Sequence, residues 1–310
     1  MVARIADVSH VTYGIPDLDK QEAFLTDFGL VRVERTAERL LVRGTGPAPY
    51  VAVLEKAAAP VVKRIAFRVA ARTDLEAAAK IAGAGKIEAI NLPGGGERVA
   101  LTDPEGIAIE LVHGIAPVDP LPLRRPMRIN HADEKNRKGG LQRLDRGPAQ
   151  PMRLGHVLIF VTDLARTMSW YQTNFGLLLS DSIYEGTPDN TLGAFLRCDR
   201  GAEYTDHHTL GIFKAPTAKL HHASFEIQDF DAQYVGSEWL SAKGWTHEWG
   251  VGRHVLGSQV FDYWRDPYNH MWEHFTDGDL LTSDVKAGHH EAGPDSLFIW
   301  GPSVPETFFA

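Results

Sequence analysis

Residues 154–177 read "LGHVLIFVTDLARTMSWYQTNFGL", and residues 8–30 read "VSHVTYGIPDLDKQEAFLTDFGL". Each stretch has a His, a short apolar strand pattern, an Asp-Leu pair seven residues after the His, an amphipathic segment and a closing Phe-Gly-Leu. In the later copy Leu164, Met168 and Tyr171 fall at helical spacing with Phe175 one turn on, Asp163 is placed to cap the helix and Gly176 to end it. The chain therefore contains an internal repeat, and the repeat governs the fold.

A second pairing follows the first in each half. "RIAFRVAARTDLEAAAKIAGAG" from Arg64 matches "HASFEIQDFDAQYVGSEWLSAKG" from His222, a strand, a turn and a helix ending in glycine. Each half then closes on two strands around an Asp-Pro turn, "VALTDPEGIAIEL" ending at Leu111 and "FDYWRDPYNHMWEHF" ending at Phe275. In both, a Glu lies seven residues after the Asp: Asp103 to Glu110, and Asp266 to Glu273. The unit is a strand, a helix and several strands, repeated over roughly 4–55, 60–114, 152–215 and 219–276. The expected fold is α+β: two domains and four βαβββ modules, each domain a curled mixed sheet with outer helices. The expected boundaries are 1–115, a Pro- and Arg-rich strap at 116–149, a second domain at 150–276, and a loop-like tail at 277–310 whose "SLFIWG" packs back on the body or on a neighbouring subunit.

Composition narrows the function. At 310 residues, 44% hydrophobic and 23% charged, the chain reads as globular. Its net charge of −8 disfavours nucleic acid or an anionic membrane as partner and suits a small ligand. No window reaches the roughly 18 apolar residues of a spanning helix. The start "MVARIADVSHVTYGI" shows no secretory pattern and the one cysteine, Cys198, has no intrachain partner, so the cytoplasm is the expected location.

The repeat also lets one half serve as a control for the other. At corresponding positions the C-terminal half carries His156, His222 and Glu273, whereas the N-terminal half carries His10, Arg64 and Glu110. Two imidazoles and a carboxylate suit a divalent first-row metal with open positions, as in non-haem iron sites. A guanidinium has no lone pair to donate and repels a cation. One metal site per chain, in the C-terminal half, is expected. A lone strand-edge histidine is more often a hydrogen-bonded structural residue, and only the joint match of three positions favours the metal.

With these residues in place the chain resembles the type I extradiol ring-cleavage dioxygenases of the vicinal oxygen chelate superfamily. The resemblance rests on "GRH" (Gly252 to His254), seven residues, "DY" (Asp262, Tyr263), and "RDPYNHMWE" (Arg265 to Glu273), together with "LGHVLIFV" and "LHHASFEI". Asp262 stands where an apolar residue is usual, and Asn269 where Gly or Pro is usual. The resemblance implies iron(II), alternatively manganese(II), at His156, His222 and Glu273, and a homo-oligomer. It further implies extradiol cleavage of a catechol by O₂ to a muconic semialdehyde, in aromatic-compound degradation. It assigns His254 and Tyr263 to hydrogen bonds with substrate. It also calls for an acid/base histidine: of "DHHTL", only one imidazole can face the metal, and the family spacing selects His207, with His208 the alternative. In the second pair, strand alignment selects His222 and leaves His221 outward or behind it.

Other polar residues draw structural expectations. His270 and His274 are read as surface residues, His289 and His290 as solvated, and Trp245, Trp249 and Trp264 as core rather than pocket. Two further functions share such a fold, a glyoxalase-type isomerase or transferase and a non-catalytic drug-sequestering module. The isomerase would draw carboxylates from both halves; the module would need no ligand triad.

Overall fold

The computed structural model describes residues 2–293 and 296–310. The first module comprises β1 (Ile5–Ile15), α1 (Leu18–Phe28), β2 (Val31–Arg35), β3 (Arg39–Arg43) and β4 (Ala52–Lys56). The second comprises β5 (Val61–Val69), α2 (Arg72–Ala78), β6 (Glu88–Ala89), β7 (Glu97–Thr102) and β8 (Ala108–His113). The third runs β9 (Arg153–Val161), α3 (Leu164–Phe175), β10 (Leu178–Tyr184), β11 (Thr191–Arg197), β12 (Thr205–Asp206) and β13 (Leu210–Lys214). The fourth has β14 (Lys219–Glu226), α4 (Phe230–Ala242), β15 (Thr246–Arg253), β16 (Val260–Arg265) and β17 (Met271–Thr276). The tail adds β18 (Leu280–Leu281) and β19 (Gly288–Glu291).

Modules pair within each half. The first sheet runs β2-β3-β4-β1-β5-β8-β7-β6 and the second β15-β16-β17-β14-β9-β13-β11-β10-β19. The opening strands of partner modules lie antiparallel at the centre of each sheet, β1 on β5 and β9 on β14. The closing strand of each module returns parallel to its own opening strand. Such a return needs a crossover, which the helix of each module provides.

Local chemistry sets the helix ends. The Asp17 carboxylate accepts from the backbone N–H groups of Asp19 and Lys20, and Asp163 accepts from that of Arg166. α1 ends at Gly29 with φ of 101°, where a Cβ would lie 1.8 Å from the carbonyl oxygen of Ala149, so only glycine fits beneath the end of the strap. The strap is otherwise mostly exposed, tied down by Arg124 to Asp229 and by the Leu121 N–H to the Thr45 carbonyl.

The halves are packed crosswise. Phe24 and Phe28 of α1 meet Trp272 edge to face, and Phe28 also meets Phe225 edge to face and stacks on His274. Gln21 donates to Asp266 at 2.9 Å, so the first helix of the chain packs on its fourth module. The mirror contact sets Tyr171 of α3 on Asp103 and Phe67 of the second module. His274, expected at the surface, is instead fully buried: its Nε2–H donates to the Phe28 carbonyl at 2.8 Å, and strand parity turns it away from the cavity side into this seam. The tail is also more ordered than expected. β19 pairs parallel with β10, and His289 and His290, though exposed, bond Ser182 and Asp181.

Candidate metal centre

Three adjacent strands of the second sheet, β17, β14 and β9, carry the candidate ligands. Register sets Glu273 opposite Ser224 and Ser224 opposite His156, with His222 two residues before Ser224. Side chains two apart on a strand, and those directly opposite across a ladder, share a face, so all three point to one side. The small Ser224 between Glu273 and His156 leaves that side open. His156 Nε2 lies 3.2 Å and His222 Nε2 3.4 Å from Glu273 Oε2. One ligand atom from each residue lies within 4.8 Å of the others.

The donor set is buried and unsatisfied. His156, His222 and Glu273 are at most 2% exposed, and both Glu273 oxygens and His222 Nε2 lack a hydrogen-bond partner. Leaving such groups unpaired is costly, and a cation bound between them would satisfy them. Burial opposes ionisation of Glu273, but His156 and then His254 hold its carboxyl below the ordinary range. Burial first, then the neighbouring histidines, pushes His222 well below its usual value, which keeps it a neutral lone-pair donor.

The equivalent line in the first sheet is Glu110, Ala66 and His10, with Arg64 in the place of His222. Arg64 Nε sits 3.2 Å and Arg98 Nη1 2.8 Å from Glu110 Oε1. Burial and then these two cations push His10 down to about 3. This cluster is closed by its own ion pairs.

Around the centre, His254 lines the cavity with its Nδ1–H on the Leu297 carbonyl at 2.7 Å and its Nε2 2.9 Å from the Tyr263 hydroxyl. Burial and then the charge of Glu273 raise Tyr263 well above its usual value, so the phenol keeps its proton. The expected orientation of the His207–His208 pair is corrected here. His208 lines the cavity, its ring centroid 4.1 Å from that of His156, whereas His207 turns outward to Asp181 at 2.6 Å. Parity allowed one of the pair to face in; the register of the short loop before β13 selects His208. Burial, then His156, His207 and His222, hold His208 well below its usual value.

Trp249, expected as core, also lines the cavity, while Trp264 is core and Trp245 packs on Phe24. His270 stays in its turn on Asp266. Asp262 points under α4, away from Tyr263, and takes bonds from His247 at 2.7 Å and Trp264 Nε1 at 2.6 Å. Asp181 and the carbonyls of Leu297 and Phe308 were not singled out by sequence. A backbone carbonyl has no side-chain signature, so only the fold could bring these to the site.

Fold and site together define a two-domain protein of repeated βαβββ modules with a two-histidine, one-carboxylate candidate centre in its second half. Residues 153–274 match the family model of the Glyoxalase/Bleomycin resistance protein/Dioxygenase superfamily. The chain is 31% identical to Metapyrocatechase 2 of Cupriavidus necator over 98% of its own length and 91% of that protein. It belongs to the type I extradiol dioxygenases of the vicinal oxygen chelate superfamily. In fold it resembles the Mn(II)-bound glyoxalase from Novosphingobium aromaticivorans, with a TM-score of 0.81, 23% identity and 98% and 94% of the two chains covered. It likewise resembles homoprotocatechuate 2,3-dioxygenase of Brevibacterium fuscum, with a TM-score of 0.80, 20% identity and coverage of 99% and 92%. No helix among the described residues is long and apolar enough to cross a membrane.

Proposed function

We propose that this protein cleaves a catechol ring beside its diol with O₂, giving a muconic semialdehyde-type product, at a metal held by His156, His222 and Glu273. The observation that carries the reading is the set of buried, unpaired donor atoms of these residues beneath a largely apolar cavity. Iron(II) fits two imidazoles and a carboxylate, and manganese(II) is the alternative. When bound, such a metal supplies a Lewis-acidic, redox-capable centre at which a vicinal diol and O₂ can meet.

The chain's own residues account for the rest. His208 is neutral at pH 7 and takes the proton of a catechol hydroxyl, later returning it to oxygen. Tyr263 O–H is donated to the unprotonated His254 Nε2 in this structure, and the phenol would turn that one proton from the imidazole to a substrate oxygen when substrate binds. The apolar walls keep water from the reacting atoms. A glyoxalase-type reaction would recruit a carboxylate from each half, but Glu110 is held by Arg64 and Arg98. The catalytic unit is assigned to 150–276, completed by tail residues that wall the cavity, with 1–115 as its support.

The test loads the protein anaerobically with iron(II) or manganese(II) and then adds catechol and air. A yellow semialdehyde absorbance is expected. Absence of colour across a panel of catechols, with metal demonstrably bound, would refute ring cleavage.

A further inference from the structure

The cavity continues well beyond the candidate ligands. On β9 the side chains facing it are His156, Leu158 and Phe160, and at about 3.3 Å per residue that face extends about 13 Å. Phe213 of β13 stands in register opposite Phe160, and Ile183 of β10 carries the wall further across the sheet. Two glycines keep the space clear. A Cβ at Gly211 would come 2.9 Å from Leu158, and one at Gly193 would come 2.6 Å from Phe213, so both side chains lie back over the sheet. A six-membered ring held by its diol at the ligand end would direct a ring substituent along this wall toward Leu158, Phe160 and Phe213.

That far end carries no charge for a ligand to pair with. Among the described residues no lysine or arginine lines the cavity. Lys219 comes within 5.7 Å of the Phe160 ring, but its ammonium donates to the Ala310 carbonyl and is not part of the wall. A carboxylate placed there would be buried without a partner, whereas an apolar group would lose only its contact with water.

We propose that the Leu158–Phe160–Phe213 end is a substituent pocket, and that the substrate is a catechol bearing an uncharged alkyl or aryl group, not a carboxylate. The proposal rests on the ring-cleavage reading above and narrows it.

The metal-loaded protein is titrated anaerobically with 3-methylcatechol, 2,3-dihydroxybiphenyl and 3,4-dihydroxyphenylacetate, following tryptophan fluorescence, since Trp249 lines the cavity. Air is then admitted and kcat/KM measured, with unsubstituted catechol as reference. The apolar catechols are expected to bind and react about a hundredfold better than the carboxylated one, the discrimination an unpaired buried charge imposes. Gly211→Ala, which presses Leu158 into the far end, should raise KM for 2,3-dihydroxybiphenyl at least several-fold more than for catechol. Equal or better use of the carboxylated catechol, or an equal effect of Gly211→Ala on both rings, overturns the proposal. Selective binding of the apolar catechols with no cleavage in air would uphold the pocket and refute ring cleavage instead.

Discussion

The Nδ1 atoms of His221 and His222 lie 2.8 Å apart, and this contact decides which nitrogen of His222 is free. His221 Nε2 lies 2.6 Å from the Phe308 carbonyl, which can only accept, so that nitrogen carries the proton. His221 Nδ1 must then accept from His222 Nδ1–H, leaving the lone pair of His222 on Nε2, toward Glu273. A histidine fixed from behind in this way is a better oriented ligand. His221→Phe is expected to lower metal affinity about 10–100-fold while the fold is retained, read by competition with a chelator and by circular dichroism.

The two halves predict opposite outcomes for related substitutions. His222→Ala should abolish metal retention and His10→Ala should leave it intact, as measured by metal content after gel filtration. Equal metal content in the two variants would contradict a single centre per chain.

The second histidine pair follows the logic of the first. In the tautomer that makes His208 a base, Asp181 accepts from His207 Nε2–H at 2.6 Å and His207 Nδ1, 3.1 Å from His208 Nδ1, accepts its N–H, leaving the lone pair on His208 Nε2. His208→Phe should keep metal but slow turnover by about 10²–10⁴-fold. Asp181→Asn, which removes the obligate acceptor, should lower kcat with little change in metal content. If His207→Phe is the more damaging of the two histidine variants, the assignment to His208 fails.

His10 makes the N-terminal half sensitive to acid. Its pKa falls from 6.5 to about 3 in the folded chain, so between these values the unfolded state binds the extra proton and stability declines as pH falls. The slope from this residue approaches about 1.4 kcal/mol per pH unit. His10→Gln should flatten denaturation midpoints measured between pH 7 and pH 4 relative to the parent chain; an unchanged slope would show that His10 is not the source.

Asp262, unexplained by sequence, braces His247 and Trp264 beneath α4. Asp262→Ala strands the Trp264 N–H in the core and should cost about 1–3 kcal/mol in urea unfolding. Activity per folded molecule should hardly change, because the residue faces away from the cavity.

Much of this molecule is legible from its repeats. The four modules, the candidate ligand positions and the Arg64 cluster follow from alternation and from comparing one half with the other. What sequence left unresolved depends on direction at short range or on contact at long range. Between His207 and His208 the orientation turns on the register of a loop with no regular pattern, and the family spacing pointed to the neighbour that turns away from the cavity. His274 looked like a surface residue because its partner, the Phe28 carbonyl, is 246 positions away. The tail looked loose because its contribution is made through the carbonyls of Leu297 and Phe308.

The crosswise seating of α1 on the fourth module has a consequence for dissection and for folding. Residues 150–310 hold every candidate ligand, yet expressed alone they would expose Phe225, Trp272 and His274 where Phe24 and Phe28 now lie. Such a fragment should aggregate rather than work as a minimal enzyme. In the intact chain, the helix made first must wait for the strand made near the end, a high contact order that favours slow, late consolidation.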